Sequence, residues 1–194
     1  MIRYAIVLAA LLLSACETVP ARFTPPAFAF EQSQSQPIRL QVGSIEFINH
    51  YQPPLRDPQV EHLFLVTPSA AIERWVSSRM VASGGAGVLQ ITLHEASVTS
   101  HALPTTTGVK GLFTDDQDTR YDGKIAVTFR LFDGTSNASR AAGDVEVTRF
   151  ISLNERATID MRERRFHQML DTMMTDFNRE AEQRLRQHFG LYFR

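Results

Sequence analysis

The sequence predicts an α+β two-layer sandwich. It consists of a four-stranded, mainly antiparallel sheet with two helices on one face, in the order β-α-β-β-β-α, closing on a long C-terminal helix. Three observations lead there. The strand-like runs alternate apolar and polar residues rather than being continuously apolar, which suits an antiparallel sheet with one wet face. Two other runs repeat their apolar residues every three or four positions, the stripe of an amphipathic helix. Finally, 194 residues at 43% hydrophobic content fill one core and are too few for two ordinary domains.

In chain order, the first folded element begins at Ile38, where Ile38, Leu40 and Val42 alternate with polar residues and Ile45 and Phe47 continue after Gly43. This reads as one strand with a bulge at Gly43. A proline-punctuated stretch through Tyr51, Pro53, Pro54 and Pro58 follows. Thr67-Pro68 then supplies an N-cap with proline at the first helical position. Ile72, Trp75, Val76 and Met80 share one face of that helix, and Gly84-Gly85 are expected to end it. Val88 to Thr99 reads as the second strand, with Leu89, Ile91 and Leu93 on one face and a change of register before Ala96 and Val98. Tyr121, Gly123, Ile125, Val127, Phe129 and Leu131 form the clearest strand. A turn at Asp133-Gly134 joins it to a fourth strand through Ala141, Gly143, Val145 and Val147, so the pair is a hairpin. From Asn154 or Thr158 to Phe189, apolar residues from Phe166 to Leu185 recur at helical spacing until Gly190. Asp160 to Arg164, Glu180 to Arg184 and Glu182 to Arg186 are favourable i,i+4 pairs on the wet side.

Ahead of this domain lie two further segments. The chain opens with Arg3, the ten-residue apolar run Tyr4 to Leu13, and then Leu13-Ser14-Ala15-Cys16. At about 1.5 Å per residue, a helix needs roughly 20 apolar residues to cross a bilayer, so this run has the length of a secretory signal core and not of a spanning helix. From Glu17 to Pro37 the sequence mixes prolines with a Gln/Ser alternation and shows no helical or strand period, the composition of a tether. Phe23, Phe28 and Phe30 within it leave a second reading open, in which they dock on the domain or graze a membrane. The expected division is 1–15 signal peptide, 16–37 lipidated Cys and disordered tether, and 38–194 a single α+β domain.

Composition excludes several activities. A net charge of −1 lacks the basic footprint of a nucleic-acid binder, and one cysteine permits neither an intramolecular disulfide nor a cysteine zinc cluster. His94, Glu95, His101, Asp115, Asp116 and Asp118 gather carboxylates and imidazoles around one loop, but adjacent His94 and Glu95 point to opposite faces of a strand. An EF-hand register from Asp116 places Arg120 and Tyr121 where a ligand and a glycine belong. No nucleophile elbow is present, and the glycines at 84, 85 and 87 join helix to strand, the reverse of a phosphate-binding loop. The expectation is a non-catalytic protein with no metal and no cofactor.

Two interaction candidates remain. In the long loop from Ser100 to Asp118, Lys110, Leu112 and Phe113 sit among glycines, where the two large apolar residues either reach a partner or fold back as a lid. Arg156, Arg162, Arg164 and Arg165 near the start of the last helix form the second, with an affinity for lipid phosphate set against an ordinary solvated face interleaved with Glu155, Asp160 and Glu163.

Leu13-Ser14-Ala15-Cys16 resembles the bacterial lipobox at all four positions. That resemblance implies cleavage between Ala15 and Cys16, lipid attachment to the Cys16 sulfur and acylation of the new N-terminus. Removal of 15 of the 194 residues would leave 179 and take the net charge to −2. Glu17 rather than Asp after the cysteine favours sorting to the outer membrane in the resemblance to enterobacterial lipoproteins. Tyr51-Gln52-Pro53-Pro54-Leu55, Val60-Glu61-His62 and Gly108-Val109-Lys110-Gly111-Leu112-Phe113-Thr114 look like uncharacterised proteobacterial envelope lipoproteins. The architecture is loosely similar to auxiliary lipoproteins of ABC-type transport systems and to the lipopolysaccharide-assembly lipoprotein. The resemblance to uncharacterised lipoproteins carries no activity with it; the expectation is an accessory or adaptor to an envelope protein complex, held to the membrane through Cys16 and binding through the long loop or an open sheet edge. The alternative is a lipid or lipopolysaccharide carrier, which requires a continuous apolar cavity where an adaptor has a packed core.

Overall fold

The computed structural model describes residues 22–32, 36–104, 118–132, 138–154 and 156–193. Along them run helix α1 (Ala29–Gln32), strands β1 (Ile38–Leu40) and β2 (Ser44–Asn49), a short 3-10 turn (Glu61–Leu63) and helix α2 (Pro68–Arg79). Strands β3 (Met80–Ala82), β4 (Val88–Ala102), β5 (Thr119–Phe132) and β6 (Ser139–Leu153) follow, then helix α3 (Ile159–Phe189) and a 3-10 turn (Gly190–Tyr192). Cys16, Lys110, Leu112, Phe113 and the turn at 133–137 lie outside the described residues.

The main sheet has the order β2-β4-β5-β6, and the two-layer α+β sandwich is as the sequence predicts. β4, β5 and β6 pair antiparallel, whereas β2 pairs parallel to β4, from Ser44 opposite Val88 to Asn49 opposite Leu93. The parallel edge follows from connectivity, because the chain between β2 and β4 crosses over through α2. The register change expected before Ala96 is a bulge between Leu93 and Glu95. Beyond it, β4's outer edge is covered by the preceding loop, where Val60 N–H donates to Val98 C=O at 2.8 Å and Ser100 N–H to Pro58 C=O at 2.8 Å.

Four expectations are corrected. The strand with a bulge at Gly43 is two strands in two sheets: β1 pairs parallel with β3, Ile38 opposite Met80 and Leu40 opposite Ala82, while β2 joins the main sheet. Core-facing positions shift parity across Gly43, from buried 38, 40 and 42 to partly buried 45 and 47, so one continuous strand cannot keep both sets on the core face. Gly84-Gly85 do not end α2. The helix stops at Arg79, Met80 adopts extended backbone, and pairing with β1 draws the next residues into β3. The glycines make the following turn, where Gly87 has φ +98° and a Cβ there would lie 2.6 Å from the Phe132 carbonyl oxygen. Glu180 lies 3.9 Å from Arg179 instead of pairing with Arg184, whereas Arg164 to Asp160 and Arg186 to Glu182 form at 2.7 Å each.

The fourth correction concerns the tether. Residues 22–32 pack on the domain, with Phe28 only 1% exposed and Phe30 equally part of the core. Phe28 stacks between Phe30 (5.6 Å) and His167 (5.2 Å), and Ala29 N–H donates to Asp171 Oδ1 at 2.7 Å. Two aromatic anchors and a charge-assisted hydrogen bond offset the ordering entropy that the polar composition alone does not.

Both long helices lie on one face of the sheet. Thr67 caps α2 by accepting from Ala70 N–H at 3.3 Å, and Thr158 caps α3 by accepting from Met161 N–H at 3.2 Å. Trp75, fully buried, joins the layers through edge contacts to Phe129 at 6.3 Å and Phe177 at 5.0 Å. Its Nε1–H donates to Asn178 Oδ1 at 2.8 Å, and the same oxygen accepts from Arg79 Nε at 3.1 Å. Arg79, also buried, donates to the Gln36 carbonyl and sits 3.6 Å from Glu182, tying α2, α3 and the segment before β1 together. Where α3 crosses β5, a Cβ on Gly123 would meet Met169 Cε at 2.4 Å and Met173 Sδ at 2.8 Å, so the absent side chain sets how closely the layers approach.

Candidate functional site

Three surfaces are candidates: the outer face of the sheet, the edge formed by β6, and the end of the domain at the start of α3. The outer face carries the side chains that alternate with the core. Lys124 on β5 reaches Glu95 on β4 at 3.4 Å and Glu146 on β6 at 3.2 Å, a clasp across three strands. Arg120 makes a bidentate contact with Asp122 and lies over the Phe150 ring at 3.8 Å. Glu95, Arg120, Asp122, Lys124 and Phe150 line an open depression of about 540 Å³. Hydrogen bonding to Glu146 and the charge of Glu95 raise the Lys124 pKa, and the hydrogen bond to Asp122 does the same for Arg120. A lysine serving as a general base needs the opposite shift, so Lys124 stays protonated and acts here as the cation of a cross-strand ion-pair cluster.

The second polar chain on this face runs from His94 through Thr128 to Asp144. Thr128 Oγ1 donates its only proton to Asp144 Oδ1 at 2.7 Å, so the 3.0 Å contact with His94 Nε2 requires the imidazole to donate. That polarity is the reverse of a histidine withdrawing a hydroxyl proton. Among the described residues no group of three or more His, Cys, Asp or Glu is placed to hold a metal ion.

Sequence reading missed two buried acids, Glu61 and Asp176, the latter paired with Arg149 and Arg179. Glu61, 1% exposed, accepts from Tyr51 Oη at 2.7 Å and from Val98 N–H at 3.3 Å, and so fixes the proline-rich loop along β4. Burial first, then the hydrogen bond and charge of Glu61, push the Tyr51 hydroxyl well above its ordinary range. A proline-rich stretch gives no period from which to infer such a contact.

β6 is the last strand of the sheet, 15 residues long, and among the described residues no strand pairs with its outer side. α3 covers its face and leaves the edge: Arg149 pairs with Asp176, and Gly143 faces His188 and Phe189. Asp144, Glu146 and Gly143 along the strand are residue types that discourage indiscriminate edge pairing.

At the start of α3, Arg22 lies 3.5 Å from Glu163, Phe23 meets His167 edge-on at 6.0 Å, and Arg164 sits over the Phe23 ring at 4.7 Å. Burial lowers the His167 pKa from its ordinary 6.5, with Asp171 opposing. The neutral imidazole is therefore the form that fits the docked segment. Its stabilisation is full above the ordinary value and is lost as pH falls through the lowered one. Amide exchange in residues 22–32 should accelerate between about pH 7.5 and about pH 5 beyond the intrinsic change, and His167→Gln should abolish that difference. Equal protection at both pH values in the unsubstituted protein would refute this.

Of the residues singled out from the sequence, the four arginines of 156–165 are grouped at this end. Ala15, Cys16, Lys110, Leu112 and Phe113 are outside the described residues, and the long loop is anchored by Ala102 opposite Thr119 with Leu103 N–H donating to Asp118 C=O at 2.6 Å.

No family model matches the chain, and no curated protein sequence matches it. Solved structures similar to it include several bacterial lipoproteins. A minor lipoprotein from Acinetobacter baumannii is 12% identical over 75% of this chain and 90% of its own, with a TM-score of 0.39. The uncharacterized lipoprotein B from Nitrosomonas europaea is 15% identical over 75% and 85%, at 0.38. The rare lipoprotein B from Shewanella oneidensis is 11% identical over 73% and 95%, at 0.32. Similarity at this level leaves the reading of the chain to its own residues. No helix among the described residues is long and apolar enough to cross a membrane.

Proposed function

We propose that the protein is a non-catalytic bacterial lipoprotein, anchored through Cys16 at the periplasmic face of the outer membrane, that serves as an accessory or adaptor to an envelope protein complex. The observation that carries the adaptor role is the long edge of β6, with which no other strand pairs on its outer side among the described residues. A partner strand added there gains main-chain hydrogen bonds, with Asp144 and Glu146 selecting it by charge. The membrane attachment rests on Leu13-Ser14-Ala15-Cys16 and the sorting on Glu17. The packing supports an adaptor over a lipid carrier, because the space between sheet and helices is filled by Trp75, Phe129, Met169, Met173 and Phe177. The carboxylate-paired Lys124 and the Thr128 hydroxyl committed to Asp144 support a non-catalytic role.

Photo-crosslinking in the native cells tests this reading. A crosslinkable residue at exposed Ala142 or Thr148 on β6 should capture a discrete protein, and one at exposed Gln183 on the back of α3 should not. Capture of lipid alone at every position, or equal protein capture from α3, would reject the edge as the docking site.

A further inference from the structure

The start of α3 and the loop beside it carry exposed apolar side chains next to several arginines that have no carboxylate partner among the described residues. Ile159 is 70% exposed and Met161 52%; Leu63 and Leu65, at 47% and 46%, flank Phe64, which stacks on Phe166 at 4.4 Å, about two helical turns beyond Ile159. Across Arg22 and residues 155–167 there are five arginines against Glu155, Asp160 and Glu163. Two of those carboxylates are taken up, Glu163 by Arg22 and Asp160 by Arg164. Arg156, Arg162 and Arg165 have no ion-pair partner among the described residues, and the Arg162 Nε is buried without an acceptor.

The path of the chain says what lies against this surface. Residues 22–29 run along α3 in its own direction, from Arg22 at Glu163 through Phe23 and Phe28 at His167 to Ala29 at Asp171. Arg22, the first described residue, therefore lies near the start of α3. Only six residue steps separate Arg22 from Cys16, a reach of at most about 20 Å. An acylated Cys16 thus confines this end of the domain to the neighbourhood of the bilayer. The other end of the 31-residue α3, about 45 Å away, has no such constraint.

We infer that the start of α3, with the adjacent loop at Leu63 and Leu65, is a membrane-docking surface. In it, Ile159 and Met161 enter the headgroup layer of a bilayer containing anionic phospholipid, and Arg156, Arg162 and Arg165 pair with its phosphates. This inference rests on the lipid anchor proposed above. Paired apolar and basic residues of this kind bind such surfaces through burial and charge together. The domain then stands on its α3 start, with Gly143 of β6 and the α3 C-terminus held away from the membrane.

Cys16 is the only cysteine in the sequence, so an added one takes a spin label selectively once Cys16 is acylated. The lipidated full chain carrying Ile159→Cys or, at the far end, Gln187→Cys is labelled and reconstituted in phosphatidylethanolamine vesicles containing phosphatidylglycerol, then floated on a density gradient. The label at 159 should be protected from a charged aqueous relaxation agent and reached by oxygen, whereas the label at 187 should be fully aqueous. Combining Ile159→Cys with Arg156→Gln, Arg162→Gln and Arg165→Gln should remove the protection while the protein still floats. These side chains are exposed or half-buried, and an unchanged melting temperature confirms the fold. Flotation with an aqueous label at 159 in the unsubstituted surface overturns the docking surface and leaves the anchor intact. Failure to float overturns the anchor and the docking surface that depends on it.

Discussion

Replacing Trp75 by alanine is expected to lower stability by about 3–5 kcal/mol, the cost of removing a buried aromatic that the surroundings cannot refill. The side chain is completely buried where α2, α3 and β5 meet, in edge contact with Phe129 and Phe177. Its loss leaves a cavity between layers and removes one of the two donors to Asn178 Oδ1, the other being Arg79 Nε. Folded domains of this size hold only about 5–15 kcal/mol in total, so the variant should melt roughly 6–20 °C lower. Trp75→Phe keeps most of the ring volume and forfeits the indole hydrogen bond, and should cost about 1–2 kcal/mol. Thermal unfolding of the detergent-solubilised protein by circular dichroism measures both. A Trp75→Ala loss no larger than that of Trp75→Phe would show that the layers are not joined through this ring.

Removing the anchor should have the largest effect on where the protein resides. Each buried methylene of an acyl chain contributes about 0.8 kcal/mol, and a single myristoyl chain gives only marginal membrane binding, whereas the three chains implied at Cys16 hold effectively without exchange. Cys16→Ser should therefore move most of the protein from the membrane to the soluble periplasmic fraction. An uncleaved signal could retain it through the apolar run Tyr4 to Leu13, so residues 17–194 should also be secreted behind an ordinarily cleaved signal. Whatever remains bound then reflects the start of α3 alone and should be released by high salt, which screens the arginines. Salt-resistant sedimentation of that secreted chain would count against Cys16 as the principal attachment.

Much of the fold was legible because its signals are local. The alternation from Tyr121 to Leu131 is unbroken, and each helix has its cap written beside it, Thr67-Pro68 for α2 and Thr158 for α3. What was not legible depends on distant partners. Met80 follows Val76 at helical spacing, and only its pairing with Ile38 shows that it begins a strand. The shift of parity at Gly43 was visible, but a bulge and a change of sheet leave the same trace in sequence. Phe28 and Phe30 lie in a polar, proline-rich run, and their burial depends on His167 and Asp171, some 140 residues away.

The candidate surfaces divide the same way. The arginines near the start of α3 were readable as residues, interleaved with acids that suggested a solvated face. The ion pairs of Glu163 with Arg22 and Asp160 with Arg164 then single out Arg156, Arg162 and Arg165. Docking of residues 22–32 changes the geometry of anchoring as well. A tether running to residue 37 would let the domain stand tens of ångströms from the bilayer, whereas the six residue steps from Arg22 to an acylated Cys16 would hold its α3 end within about 20 Å.

The membrane anchor, and the docking surface that rests on it, depend on the fate of Cys16, and the intact mass of the mature protein extracted from membranes tests it most directly. The expected mass is that of residues 16–194 carrying a thioether-linked diacylglyceryl group and one amide-linked acyl chain, with the two ester-linked chains removed by mild base. A chain that retains Met1, begins elsewhere, or begins at Cys16 with a free thiol and a free amine would contradict the account.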